Sequence, residues 1–303
     1  MKNLFSLLAF LCIAASPVLA QGVSLNGAID IHVHQAPDSV KRAIDADDLA
    51  RMAKAMGMRG MVMKNHWEPT ASLAFLVRKI VPGLEVFGGV TQDLAVGGIN
   101  LEAVKHMAAT TGGYGRVVWL PTFDNDTPDK RARNLPRVPV SENGKLLPSV
   151  LGLIDWIGQH PPLMLETGHV SPEEGLMVIA AAKAGGVRHI VVTHAMDMGW
   201  TVPQMQEAAR QGAYLEFVYH STLPQGSGQE AKLDAYAAAM RGVGFDHCIM
   251  ATDLGDIPPG THYPLEPQGF LDFMRAMAAR GIPVSAIDAM SKANPARVLG
   301  LDP

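Results

Sequence analysis

The sequence predicts an α/β protein of the (β/α)8 barrel class. Short runs rich in Val, Ile and Met alternate with amphipathic helical stretches from residue 28 onward, the pattern of a parallel sheet covered on both faces. Eight such runs can be counted, the number that closes a barrel. Polar residues collect at the C-terminal ends of run after run, the rim where a parallel barrel builds its sites. An open doubly wound sheet is the alternative, but no Gly-rich dinucleotide fingerprint supports it.

The runs, in order, are AIDIHVH (28–34), GMVMKNH (60–66), EVFGGVTQD (85–93), GRVVWLPTFD (115–124), PLMLETGHV (162–170), RHIVVTHAM (188–196), AYLEFVYH (213–220) and HCIMATDLG (247–255). Apolar residues on both faces suit buried parallel strands. Between them, DADDLARMAKAMGM opens with acids and carries apolar residues at helical spacing. SPEEGLMVIAAAKAGGV starts with Ser171 as N-cap and Pro172 in the first turn and ends at Gly185 and Gly186. TVPQMQEAARQGA has the same grammar. Two connections are long. Residues 124–149 hold four prolines and a hairpin signal, RVPVSENGKLLP, turning at Asn143-Gly144. Residues 220–231 follow the seventh run. No second domain and no linker is evident, so the expected barrel spans residues 21–303.

Of the 303 residues, 48% are apolar and 18% charged, with a net charge of -4. These values exclude a disordered chain. Lys and Arg are scattered, which argues against a nucleic-acid partner. Residues 1–20 stand apart: Lys2, then LFSLLAFLCIAA, then SPVLA ending at Ala20. This is the layout of a signal peptide cleaved before Gln21, implying a secreted or periplasmic protein with no membrane attachment after cleavage. The mature chain keeps only Cys248 and forms no internal disulfide.

Perfect strand alternation would put Asp30, His32 and His34 on one face of the first run and Ile29, Ile31 and Val33 on the other. Lys64 and His66 end the second run, Glu166 and His169 the fifth, His194 the sixth, His220 the seventh and Asp253 the eighth. On a barrel rim these distant residues converge. Four imidazoles and a carboxylate form a nitrogen and oxygen donor set suited to a divalent cation, Zn first, with Mn or Fe as alternatives.

His-x-His after the first strand, single histidines after the fifth and sixth, and an Asp after the eighth resemble the amidohydrolase superfamily of metal-dependent hydrolases. The matching residues are His32, His34, His169, His194 and Asp253, and the tail NPARVLGL (294–301) is similar to that superfamily's closing segment. MKNHWEPT, GGINLEAV, VVWLPT and ETGHVSPEE resemble a branch known only as a domain of unknown function. The resemblance implies a barrel holding one or two metal ions that cleaves an amide, lactone or ester bond of a small molecule. Asp253 would serve as general base and then acid, and His194 or Lys64 would steady the oxyanion. A nonoxidative decarboxylase on the same cage and a non-catalytic periplasmic binding protein are the alternatives.

Lys64 departs from the pattern. Superfamily members bridge two metals with a carboxylated lysine or a glutamate from a middle strand, often the fourth, and RVVWLPTFD offers neither. Lys64 is therefore read as a carboxylated bridge, as an ammonium for an anionic substrate, or as a lysine snorkelling from the rim. Its different strand inclines the reading to the ammonium. Glu166 is expected to support the ligands, and His66 and His220 to be solvated rim histidines. Met56, Met58, Met61 and Met63 are read as packing. Lys130, Arg131, Arg133 and Arg137 are read as a solvated face. A homo-oligomer is compatible with the sequence.

Overall fold

The computed structural model describes residues 22–223, 227–256 and 263–302. The expected signal peptide, residues 1–20, lies outside the described residues. Eight parallel strands form one sheet: β1 (Ile29–Val33), β2 (Gly60–Met63), β3 (Glu85–Thr91), β4 (Gly115–Trp119), β7 (Met164–Glu166), β8 (His189–Val192), β9 (Tyr214–Val218) and β10 (Cys248–Ala251). Their order in the sheet is their order in the chain. The chain beyond β10 meets the end of β1: the His34 N–H donates to the Leu254 carbonyl at 2.8 Å and the Asp253 N–H to the His32 carbonyl at 2.7 Å. The sheet is thus a nearly closed barrel, the predicted (β/α)8 fold, with a strand in each of the eight predicted runs.

Helices follow the strands with the expected local chemistry. In α6 (Pro172–Ala184), the Ser171 hydroxyl accepts from the Glu174 N–H while the Glu174 carboxylate accepts from the Ser171 N–H, satisfying donors a helix start leaves free. Thr201 and Gln204 do the same for α7 (Val202–Arg210). The long fourth connection contains α4 (Pro128–Ala132) and a hairpin of β5 (Ser141–Glu142) and β6 (Lys145–Leu146). Asn143 and Gly144 both have positive φ, 51° and 72°, as the tight hairpin turn requires.

Two apolar layers build the core. The inner one takes residues from every barrel strand, among them Ile31, Val62, Phe87, Trp119, Met164 and Ile249. Ala296, Val298 and Leu299 of the NPARVLGL tail close it from one end, and Asn294 pins that tail by donating to the carbonyls of Phe245 and Cys248. The outer layer, including Met58, Met61, Met63, Val86, Val118 and Leu215, packs the strands against the helices. Each fully buried side chain of this size contributes about 1.5–3 kcal/mol.

The first strand departs from the predicted alternation. Ile29 and Ile31 lie in the inner layer, but Val33 lies in the outer one. The register against β2 gains a residue between Asp30 and Val33, a β-bulge. Asp30 causes it locally: its carboxylate accepts the His32 N–H at 3.0 Å and the Thr252 N–H at 3.1 Å, taking amides that a regular ladder would use. Asp30 therefore does not share a face with the histidines. The bulge turns His32 and His34 toward the barrel mouth.

Candidate metal centre

The C-terminal ends of the strands bring His32, His34, Lys64, His169, His194 and Asp253 together. The Asp253 Oδ1 atom lies 3.0 Å from Nε2 of His32 and 3.0 Å from Nε2 of His34. One donor atom from each of His32, His34 and Asp253 lies within 4.8 Å of the others. His194 presents Nε2 3.1 Å from Nε2 of His169. His169 reaches the site because Gly168, at φ +59°, turns the chain as it leaves β7, a conformation glycine adopts without strain. Asp253 at φ +53° and His194 at φ +23° hold positive φ without being glycine, a local strain that concentrates at functional sites.

The far nitrogens of the first two histidines are already engaged. His34 Nδ1 donates to the Lys64 carbonyl at 2.8 Å. His32 Nδ1 donates to the Glu216 carboxylate, 3.2 Å from Oε1. Both contacts leave Nε2 with its lone pair toward the mouth, the arrangement that orients metal-ligating imidazoles. Burial opposes charge on His32, yet Asp253 and Glu216 outweigh it and raise its pKa to about 10. The carboxylates call for positive charge at this spot, and a proton or a metal cation answers it. Burial pushes the Asp253 carboxyl up, but His32 and His34 hold it well below the usual carboxylate range. His194 adds a buried Nδ1 atom that has no hydrogen-bond partner among the described residues. This donor set fits a divalent cation bound by imidazole and carboxylate.

Lys64 is fully buried, which excludes the snorkelling reading. Its Nζ lies 3.0 Å from His32 Nε2. Burial lowers its pKa from the ordinary value against the pull of Asp253, Glu166 and Glu216. Glu166 is also fully buried, and Thr193 donates to it at 3.0 Å. Burial and then the charge of Glu216 raise its pKa to about 8. His66 is not the solvated rim histidine the sequence suggested. It is buried, donates from Nδ1 to the Thr122 hydroxyl at 2.8 Å, and stacks on His34 with centroids 5.0 Å apart. His220 is half-buried, with its ring 5.4 Å from that of Tyr263. The cations of the fourth connection are spent within it: Arg131 and Arg137 pair with Asp126, and Arg133 with Asp129.

Glu216 joins the site from outside the set of strand-end residues. It pairs in register with Ile249 of the inner layer, so it points into the barrel. It accepts from His32 and also from the His194 N–H at 2.9 Å, bridging two candidate ligands. A lone carboxylate inside the buried run YLEFV was the available signal.

Fold and site together define a (β/α)8 barrel whose mouth gathers a candidate metal-binding cluster of His32, His34 and Asp253. Residues 27–216 match a family of unknown function, DUF6282, and the chain belongs to that family. No curated protein matches the sequence. Among solved structures, a Pseudomonas putida protein assigned as a 2-pyrone-4,6-dicarboxylic acid hydrolase aligns at TM-score 0.60 and 16% identity, covering 92% of this chain and 98% of that one. A TatD homologue from Escherichia coli K12 aligns at TM-score 0.58 and 16% identity, covering 91% and 98%. N-acetyl-D-glucosamine-6-phosphate deacetylase from Mycobacterium smegmatis aligns at TM-score 0.55 and 14% identity, covering 90% and 76%.

Proposed function

We propose that this protein is a metal-dependent hydrolase acting on an ester, lactone or amide carbonyl of a small molecule. The observation that carries the reading is the convergence of His32, His34 and Asp253 at the barrel mouth, with each histidine's Nδ1 tied down so that Nε2 faces the shared point. His169 and His194 complete the donor set. A divalent cation held by these residues would supply a Lewis acid at the mouth and make water there more acidic. The names of the deacetylase and of the protein assigned as a pyrone hydrolase both denote hydrolysis at a carbonyl, which supports this choice of bond.

The chain's own residues divide the remaining work. Asp253 is partly exposed, with 17% of its side chain accessible, so its carboxylate is reachable by water and by substrate. It accepts the proton of the attacking water and returns it to the leaving group. Lys64 donates from Nζ to the carbonyl oxygen as negative charge develops there. Glu216 keeps His32 in one tautomer throughout.

Asp253→Asn tests the reading, because it keeps the shape and removes the base. On the first substrate found in a panel of p-nitrophenyl esters, lactones and N-acetyl amides, kcat is expected to fall at least ~10²-fold. Metal content should be largely retained. An unchanged kcat would assign the proton to another group.

A further inference from the structure

Phe123 is 53% exposed, and it is the one aromatic among the exposed large apolar side chains of the described residues. Its backbone is not loose. The buried carboxylate of Asp93 accepts the Thr122 N–H at 2.8 Å, the Asp124 N–H at 3.0 Å and the Thr122 hydroxyl at 2.6 Å, gripping the chain on both sides of Phe123. Asn125 then donates to the His169 carbonyl at 2.8 Å, tying this turn to the loop of a candidate ligand. Buried polar contacts thus hold an apolar ring with half of its surface in water.

The ring also sits among other rings. Phe123 stacks against Trp67, with centroids 5.6 Å apart and planes 12° from parallel. His66 meets Phe123 edge-on at 4.3 Å and 76°, and lies flat on His34. The Phe123 ring is 6.4 Å from that of His169. A strip of rings therefore runs from the candidate ligands His34 and His169 out to the exposed face of Phe123.

We infer that the mouth takes substrates with a planar aromatic or conjugated ring next to the scissile carbonyl, seated against Phe123. This deepens the hydrolase reading and rests on it. A carbonyl held near His34 and Asp253 places its neighbouring substituent beside the strip. A flat π-system gains an offset or edge contact with these rings, whereas a saturated ring of similar size gains apolar contact alone. Because the wall is fixed before binding, little ordering entropy opposes the contact.

Three hydroxamates, titrated calorimetrically into the zinc-loaded protein, test this without a known substrate: acetohydroxamate, benzohydroxamate and cyclohexanecarbohydroxamate. Benzohydroxamate is expected to bind the wild type about 3- to 10-fold more tightly than its cyclohexane counterpart, the scale of an aromatic pair. Phe123→Leu and Phe123→Ala should both erase that ratio, the former while keeping apolar bulk. No preference in the wild type, or an unchanged ratio in Phe123→Ala, overturns the inference while leaving the metal centre standing. If acetohydroxamate fails to bind the wild type at all, the hydrolase reading falls and takes the aromatic wall with it.

Discussion

Glu216 illustrates what single residues contribute here beyond ligation. It faces no open mouth, yet it accepts from His32 Nδ1 and from the His194 N–H, so it fixes one imidazole's tautomer and one ligand's backbone. Glu216→Gln keeps the size and removes the charge. Metal affinity, read by competition with a chromogenic chelator, should fall about 10- to 100-fold, the usual loss when a ligand's hydrogen-bond partner is altered. Unchanged affinity would make Glu216 a bystander. At this scale the sequence was legible where chemistry sits at strand ends: His32, His34, His169, His194 and Asp253 all end predicted runs and all converge. Glu216 was hidden because it lies in mid-strand, one turn of the pleat below the rim. The burial of His66 is not legible locally because it packs against residues from other strands and loops, among them His34, Thr122 and Phe123.

Among the elements, β1 shows where periodicity fails. Alternation assumes a strict period of two, and one extra residue inverts every face beyond it. The bulge at β1 is set by Asp30, whose Oδ1 accepts from the amides of His32 and of Thr252, a partner more than two hundred residues away. The seam between β1 and the chain after β10 depends on Gly255 as well. Gly255 has φ +124°, and a Cβ there would lie 1.9 Å from the His34 carbonyl oxygen. Gly212 has φ +97°, but a Cβ there meets nothing within 4 Å. Gly212→Ala should therefore cost only the backbone strain, about 1–2 kcal/mol. Gly255→Ala should lower Tm further and weaken metal binding, because it must push His34 aside. Equal losses in the two variants, by calorimetry, would show that the seam does not position the site.

For the whole molecule, the barrel follows directly from the eight runs, because sheet order matches chain order and short crossovers leave few other topologies. The tail NPARVLGL plugs the inner layer, and the outer layer binds strands to helices. That frame is what lets six residues from five separate strand ends meet at one point. The point of meeting is expected to hold a metal. Elemental analysis of protein purified without chelator tests it most directly, with wild type compared against the double variant His32→Ala/His34→Ala. The wild type should carry at least ~1 equivalent of a divalent transition metal, and the double variant well below that with its far-UV circular dichroism retained, since structural scaffolds of this kind fold around their own core. Full metal occupancy in the double variant, or a wild type that takes up none of Zn, Mn or Fe, would contradict the account.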